Sequence, residues 1–214
     1  MFKADFAIAY VVGAAETYNP DIDEIQIIFF GDLIFLKIFL NKNIVFNVEK
    51  KFPKDEIIYK KLDVTNESQI KNFFYSIKNK YFVNILINNA AIDFKIKKDL
   101  KLKSNSIYDF NLKRWKNEID VGLTGYLLMI KVFGREMEKR KYGRIINIAS
   151  DLSVIAPDHR IYNNKKIRIY KPITYSVIKH GVLGLTKYFS TIVADKNVLC
   201  NSISFGGVKN NQPK

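Results

Sequence analysis

The chain has 214 residues, 48% of them hydrophobic and 14% aromatic, which excludes a disordered polypeptide and suffices for one domain with a sizeable core. Its formal net charge of +14 comes from lysines spread along the whole length, without zinc-finger spacing or an RNP-like aromatic motif, so it reads as a solvated basic surface and not a nucleic-acid site. A single cysteine, Cys200, excludes an internal disulfide and fits a reducing compartment; with neither a secretory signal pattern nor an apolar stretch long enough to cross a bilayer, the expected location is the cytoplasm, away from membranes.

Residues 1–24 match no recognisable pattern, and residues 25–214 read as one domain. Within it, strand-like apolar runs alternate with amphipathic stretches, the pattern of an α/β fold with a mostly parallel sheet. Ile25–Phe30 is a predicted strand, Asp32–Leu40 a helix and Ile44–Val48 the next strand. Ile57–Leu62 is a short strand ending at Asp63-Val64. Thr65 or Asn66 can N-cap a helix over Ser68–Lys78, whose Ile70, Phe73, Phe74 and Ile77 share one face. Val83–Ile87 is a continuous buried-type strand running into Asn88-Asn89, and Asp93–Asp109 is a lysine-rich surface excursion. A long helix is predicted over Asn111–Lys139, and Gly143 breaks it. Arg144–Ala149 is a strand leading to Ser150, and Pro157–Pro172 is polar and basic. A helix from Thr174 to Ala194 and a strand over Leu199–Ser204 precede Gly206-Gly207.

The candidate chemistry lies in Tyr175-Ser-Val-Ile-Lys179. A Tyr and a Lys four apart share one helical face, where the ammonium can lower the phenol's pKa as a Tyr general acid/base requires. Tyr162/Lys166 has the same spacing, but Asn163-Asn164 and the approach to Pro172 make a poor helix interior there. Tyr175/Lys179 heads a helical run with small residues at Gly181 and Gly184, and it is the preferred pair. His159, His180 and Cys200 have no metal-ligand spacing, so no metal is expected.

In order, Asn88-Asn89-Ala90-Ala91, Ser150 and Tyr175-Ser-Val-Ile-Lys179 resemble the short-chain dehydrogenase/reductase family. The resemblance runs over about three quarters of the chain. It implies a doubly wound Rossmann-type sheet with helices on both faces and a catalytic segment over 145–185. It further implies NAD(P)-dependent hydride transfer, with Tyr175 exchanging the substrate proton. Lys179 would tune the phenol and hold the nicotinamide ribose, and Ser150 would hold the substrate oxygen. Asp63-Val64 would contact the adenine, Asn89 and Ala90 would border its ribose, and the segment ending at Gly206 would lie near the nicotinamide. Although the pattern places Tyr162 at the usual 12 residues from Ser150, the sequence around Tyr175 matches the family's catalytic helix.

Departures from the family pattern accompany the match. Gly31 stands alone where a glycine-rich turn would cradle the pyrophosphate, the other choice being Gly13 in Val12-Gly-Ala-Ala15. Glu49, placed to bind the adenosine ribose, favours NAD over NADP. Gly122 replaces an asparagine of the proton relay, Ala91 replaces a glycine, and Phe205 a proline. The sequence stops at Lys214, so by the family pattern the last strand and helix would be missing. The stretches Ser150–Tyr162 and Lys171–Lys179 resemble oxidoreductases of bacterial flagellin modification and nonulosonic sugar synthesis. That implies a sugar or sugar phosphate, attracted by Arg160, Lys165, Lys166 and Arg168. It also implies a homodimer or homotetramer formed through the two long helices. The competing expectation is a decayed member that no longer binds dinucleotide.

Overall fold

Parallel strands joined by helices need a crossover of at least a dozen residues, and the second half of the chain supplies two of them. The computed structural model describes residues 7–16, 26–30, 33–37, 59–79, 81–93, 106–162 and 170–206. Seven strands form one sheet: β1 (Ala7–Glu16), β2 (Gln26–Phe30), β3 (Leu33–Lys37), β4 (Tyr59–Lys61), β5 (Val83–Asp93), β6 (Gly143–Ile148) and β7 (Val198–Ile203). Their order is β4-β2-β3-β1-β5-β6-β7. β3, β1, β5, β6 and β7 run parallel, and β2 is antiparallel to both β3 and β4. The fold is α/β with a mostly parallel Rossmann-type sheet.

Among the described residues, three helical units accompany the sheet. α1 (Glu67–Ile77) starts at Asn66, whose Oδ1 accepts the Gln69 N–H, and it buries Ile70, Phe73 and Ile77 as the helical spacing requires. The predicted long helix is a continuous run: α2 (Leu112–Ile119), a π-helical turn (Asp120–Thr124), α3 (Gly125–Met129), a second π-helical turn (Ile130–Gly134) and α4 (Arg135–Arg140). It ends at Lys141, whose φ of 54° is left-handed. α5 (Ile173–Ile192) is the second crossover. Gly122 faces Ile178 and Gly134 faces Phe189, so contacts advance in the same direction along both helices. The two therefore run parallel, as successive right-handed crossovers on one sheet face must. Phe133 packs edge-on against Phe74 of α1 at 5.5 Å and meets Phe73 at 6.2 Å. Leu86, Tyr126, Met129, Met137, Ile145 and Val182 complete this core.

The structure changes some sequence expectations. Asp32–Leu40 was predicted helical, but Leu33–Lys37 within it is β3, paired with β2 from Phe30↔Leu33 to Gln26↔Lys37. The apolar run Leu33–Leu40 suits either a buried strand or a helix, and the neighbouring strand decides. The first 24 residues contribute β1, which pairs with β5 from Ala7↔Val83 to Glu16↔Asp93. β5 extends past Ile87 to Asp93, so Asn88-Asn89-Ala90-Ala91 lies within a strand and does not follow one. The predicted strand Ile44–Val48 lies outside the described residues.

Candidate active site

The C-terminal ends of the parallel strands share one sheet edge, the place where open α/β sheets bind ligands. β4 is antiparallel to β2, which is antiparallel to β3, so β4 also points to this edge. Asp63 and Val64 follow β4, Ser150 follows β6, and Ser204–Gly206 follow β7.

Beneath that edge the strands are tied by amides. Asn88 and Asn147 are register partners, and Asn88 Nδ2 donates to Asn147 Oδ1 at 2.8 Å. Asn147 Nδ2 donates in turn to Thr186 Oγ1 of α5 at 2.9 Å and to Cys200 Sγ of β7 at 3.6 Å. Both asparagines are 0% exposed, so this line is structural. Asn89, on the opposite face of the strand, is half-buried, and Ala90 packs in the core. Burial of the Cys200 thiol pushes its pKa up to about 11, against a smaller opposing effect of the Asn147 hydrogen bond.

Ser150 is buried and begins a short 3-10 turn, Asp151–Ser153. Its hydroxyl donates to Asp151 Oδ1 at 2.7 Å and accepts the Leu152 N–H at 3.3 Å. To hold a substrate oxygen, the hydroxyl proton must rotate away from Asp151. The turn is fastened to the end of β7: Asp151 N–H donates to Phe205 O at 2.9 Å, and the Ser153 and Ser204 hydroxyls lie 3.0 Å apart.

α5 packs on this turn and carries Tyr175 in its first turn and Lys179 one turn later. Lys179 is 5% exposed, and its Nζ donates to Ile148 O, the last carbonyl of β6, at 2.7 Å. The same carbonyl accepts from Tyr126 Oη at 3.3 Å. The half-buried Tyr175 ring has two ammoniums near it, Lys171 Nζ at 4.1 Å and Lys179 Nζ at 5.8 Å from its centroid. Pro172 gives the helix no side-chain cap. Instead Thr174 Oγ1 donates to Glu118 Oε2 of α2, and Arg114 Nε donates to Glu118 Oε1 at 2.5 Å. Sequence reasoning missed Tyr126, Glu118, Asn147, Lys171 and Thr186, because nothing local in the sequence marks a polar residue whose partner is distant along the chain. Tyr162 ends a short 3-10 turn, His159–Tyr162, and Lys166 lies outside the described residues.

A cavity of about 390 Å³ lies at the start of α5. Lys171, Ser176, His159, Tyr170, Ile107 and Tyr108 are among its lining residues.

The adenine side is less complete. Asp63 Oδ1 accepts the Thr65 N–H at 2.8 Å and the Thr65 hydroxyl at 2.7 Å, an Asx turn leading into α1. Val64 is 0% exposed and packs on the long helix at Gly125, so its side chain belongs to the core. Gly31 and Glu49 lie outside the described residues. The helix expected after Gly31 is replaced by β3, and Gly13 sits inside β1 opposite Ala90 and so is no turn. Gly206 is exposed beyond β7. Gly122 is buried, and a β-carbon there would stand 2.9 Å from Ile178 Cγ2. Ile178 thus fills space into which an asparagine at 122 would begin to project.

The short chain dehydrogenase family model matches residues 40–213, and the chain belongs to that family. Among similar proteins, the 2-dehydro-3-deoxy-D-gluconate 5-dehydrogenase of Bacillus subtilis is 30% identical over 149 residues, 68% of this chain and 49% of that protein. The post-translational flagellin modification protein A of Campylobacter coli is 25% identical over 166 residues, 77% of this chain and 62% of that protein. A crystal structure of a short chain dehydrogenase from Leptospira borgpetersenii with bound NAD+ is 30% identical, with a TM-score of 0.58, covering 71% of this chain and 54% of that one. The chain spans about half the length of most of the relatives it matches.

Proposed function

We propose that this chain supports reversible NAD(P)-dependent hydride transfer between nicotinamide and a sugar-derived alcohol or carbonyl. The observation that carries the reading is Tyr175 and Lys179 on one face of α5, with the Lys179 ammonium anchored on the last carbonyl of β6. The nicotinamide side suits the cofactor: a buried ammonium, a half-buried phenol and a buried serine cluster at the strand ends where such ligands bind. A bound nicotinamide supplies the hydride acceptor or donor. Tyr175 passes a proton between its hydroxyl and the substrate oxygen. Ser150, turned from Asp151, donates to that oxygen. Lys179 has three N–H donors, one of them on Ile148 O, and would hold the nicotinamide ribose. Gly206, Asn89 and Asp63 would border the cofactor, and Glu49 would favour NAD. Names of relatives that act on a deoxygluconate or modify flagellin support a sugar-derived substrate. The two long helices would serve a dimer or tetramer.

A second reading is a domain that no longer binds dinucleotide. It is favoured by one observation: β3 stands where the family places the helix that receives the pyrophosphate. Calorimetric titration of the folded protein with NADH and NADPH separates the two. Micromolar binding followed by loss of turnover in Tyr175→Phe supports the enzyme. Absence of binding at millimolar cofactor overturns it.

A further inference from the structure

We infer that His159 is a specificity-determining residue, donating from its Nε2–H to an oxygen of a cyclic sugar seated in the cavity at the start of α5. The role of that sugar as the substrate rests on the oxidoreductase reading; its binding does not. His159 lines the cavity, and its ring is fixed on two sides. Nδ1 accepts the Lys171 backbone N–H at 3.4 Å, and the ring packs edge-on against Tyr170 with the centroids 5.1 Å apart. An imidazole nitrogen that accepts carries no proton, so the ring proton sits on Nε2 and makes that atom a donor. Nε2 has no hydrogen-bond partner among the described residues, and the side chain is only half-buried, so the donor is left for water or a ligand oxygen.

The rest of the lining suits a ring with an apolar face and hydroxyls at its edge. Tyr108 belongs to a short 3-10 turn, Ile107–Asp109, where its N–H donates to Ser106 Oγ at 3.3 Å. The Tyr108 side chain is 94% exposed and Ile107 is 61% exposed, so an aromatic and an aliphatic group stand in water beside the cavity they line. A pyranose, whose axial C–H bonds form an apolar face, would cover them. Ser176, one residue after Tyr175 on α5, adds a hydroxyl that both donates and accepts. A purely apolar ligand would leave the Nε2–H and this hydroxyl unmatched, and an open-chain polyol has no face to lay on Tyr108. About 390 Å³ lies within the range of small-ligand sites and has room for a monosaccharide. Lys171 also lines the cavity, and its ammonium, 4.1 Å from the Tyr175 ring centroid, links the space to the candidate catalytic tyrosine. Arg160, an attractive candidate from sequence, is committed elsewhere: its guanidinium makes a forked pair with Asp158, with Nη2 2.8 Å from Oδ2, and its side chain is 89% exposed.

Methyl β-D-glucopyranoside and tetrahydropyran-2-methanol share an oxygen-containing ring with a hydroxymethyl group and differ in the oxygen substituents around it. Saturation-transfer NMR titration of the whole chain with each, without cofactor, reads recognition of those substituents. The wild type should bind the glucoside in the millimolar range and the bare ring about fivefold more weakly, the scale of one hydrogen bond. His159→Gln keeps an N–H donor near the Nε2 position but loses the ring against Tyr170, whereas His159→Phe keeps the ring and loses the donor. The preference should survive the first change and vanish in the second, the reverse of what a packing role would give. Tyr108→Ala should weaken both ligands alike, because stacking does not count hydroxyls, and Tyr75→Ala, an exposed ring on α1, should change neither. No binding of the glucoside, equal affinity for the two ligands, or a preference that survives His159→Phe overturns the assignment. A His159-dependent preference in a protein that binds neither NADH nor NADPH would sink the oxidoreductase reading alone. Turnover of a cyclic sugar with a KM unmoved by His159→Phe would sink the His159 assignment alone. Circular dichroism and the melting temperature confirm that each variant is folded.

Discussion

Gly122→Ala adds one methyl group where the long helix meets α5. The new β-carbon would lie 2.9 Å from Ile178 Cγ2 and 3.2 Å from Ile178 Cδ1, inside the roughly 3.5–4.0 Å at which carbon atoms pack best. Ile178 is 6% exposed and is held in the core, so it cannot swing into solvent. Overpacking of this kind costs about 1–3 kcal/mol. Alanine in place of glycine in a helix returns about 1 kcal/mol. The net effect is a loss of about 1 kcal/mol. Ile178→Ala alone should cost about 2–5 kcal/mol through its cavity. In that background, however, the methyl at 122 enters space already vacated, and Gly122→Ala becomes stabilising by about 1 kcal/mol. Urea unfolding of the four proteins, followed by far-UV circular dichroism, gives the cycle, with an expected coupling of about 2 kcal/mol. If Gly122→Ala shifts stability equally in both backgrounds, to within about 0.5 kcal/mol, the steric argument is wrong.

Glu118→Ala leaves the Thr174 hydroxyl and the Arg114 guanidinium without their shared carboxylate; because Arg114 is 27% exposed, the loss should be about 2–3 kcal/mol, below that of a fully buried pair, as read by urea midpoint. Glu118→Gln keeps an oxygen for Thr174 and should recover a good part of it. Lys141→Gly relieves a left-handed residue at a helix end and should raise stability by about 0.5–1 kcal/mol; an unchanged or lower melting temperature would contradict the φ of 54°. For Cys200, burial raises the folded thiol from 9.0 to about 11, so between those pH values the unfolded chain releases a proton that the folded chain keeps. The group's stabilisation is present below pH 9 and is lost as pH rises towards 11. Urea midpoints measured from pH 8 to 11 should therefore fall more steeply for wild type than for Cys200→Ala, and parallel curves would refute the shift.

Continuous apolar runs such as Val83–Ile87 and helical spacing such as Ile70, Phe73 and Ile77 made the fold from α1 to β7 legible. The turn from α5 into β7 likewise followed the predicted boundaries to within a residue or two. That Tyr175 and Lys179 share one helical face was legible because a four-residue spacing has one meaning once the helix is granted. The β2–β3 pair was misread, although Gly31-Asp32 between two apolar runs is a two-residue hairpin signal. Periodicity cannot separate a short buried strand from a short buried helix, and the family pattern favoured the helix. Glu118 and Thr174 were illegible for another reason: their hydrogen bond joins residues 56 apart, and nothing local distinguishes a buried acid from a solvated one.

The amides at Asn88 and Asn147 also act as an alignment key for the strands. Sliding β5 by two residues along β6 would keep every side chain on its original face, so the apolar pattern alone could not detect the mistake. It would, however, set Asn88 beside Ile145 or Ala149 and strand the Asn147 amide, which also serves α5 and β7. Each polar group left unpaired in the core costs about 1–3 kcal/mol. A misaligned sheet is thus penalised chemically before the strand ends that carry the candidate residues come into line, and the asparagines proofread the assembly of that edge.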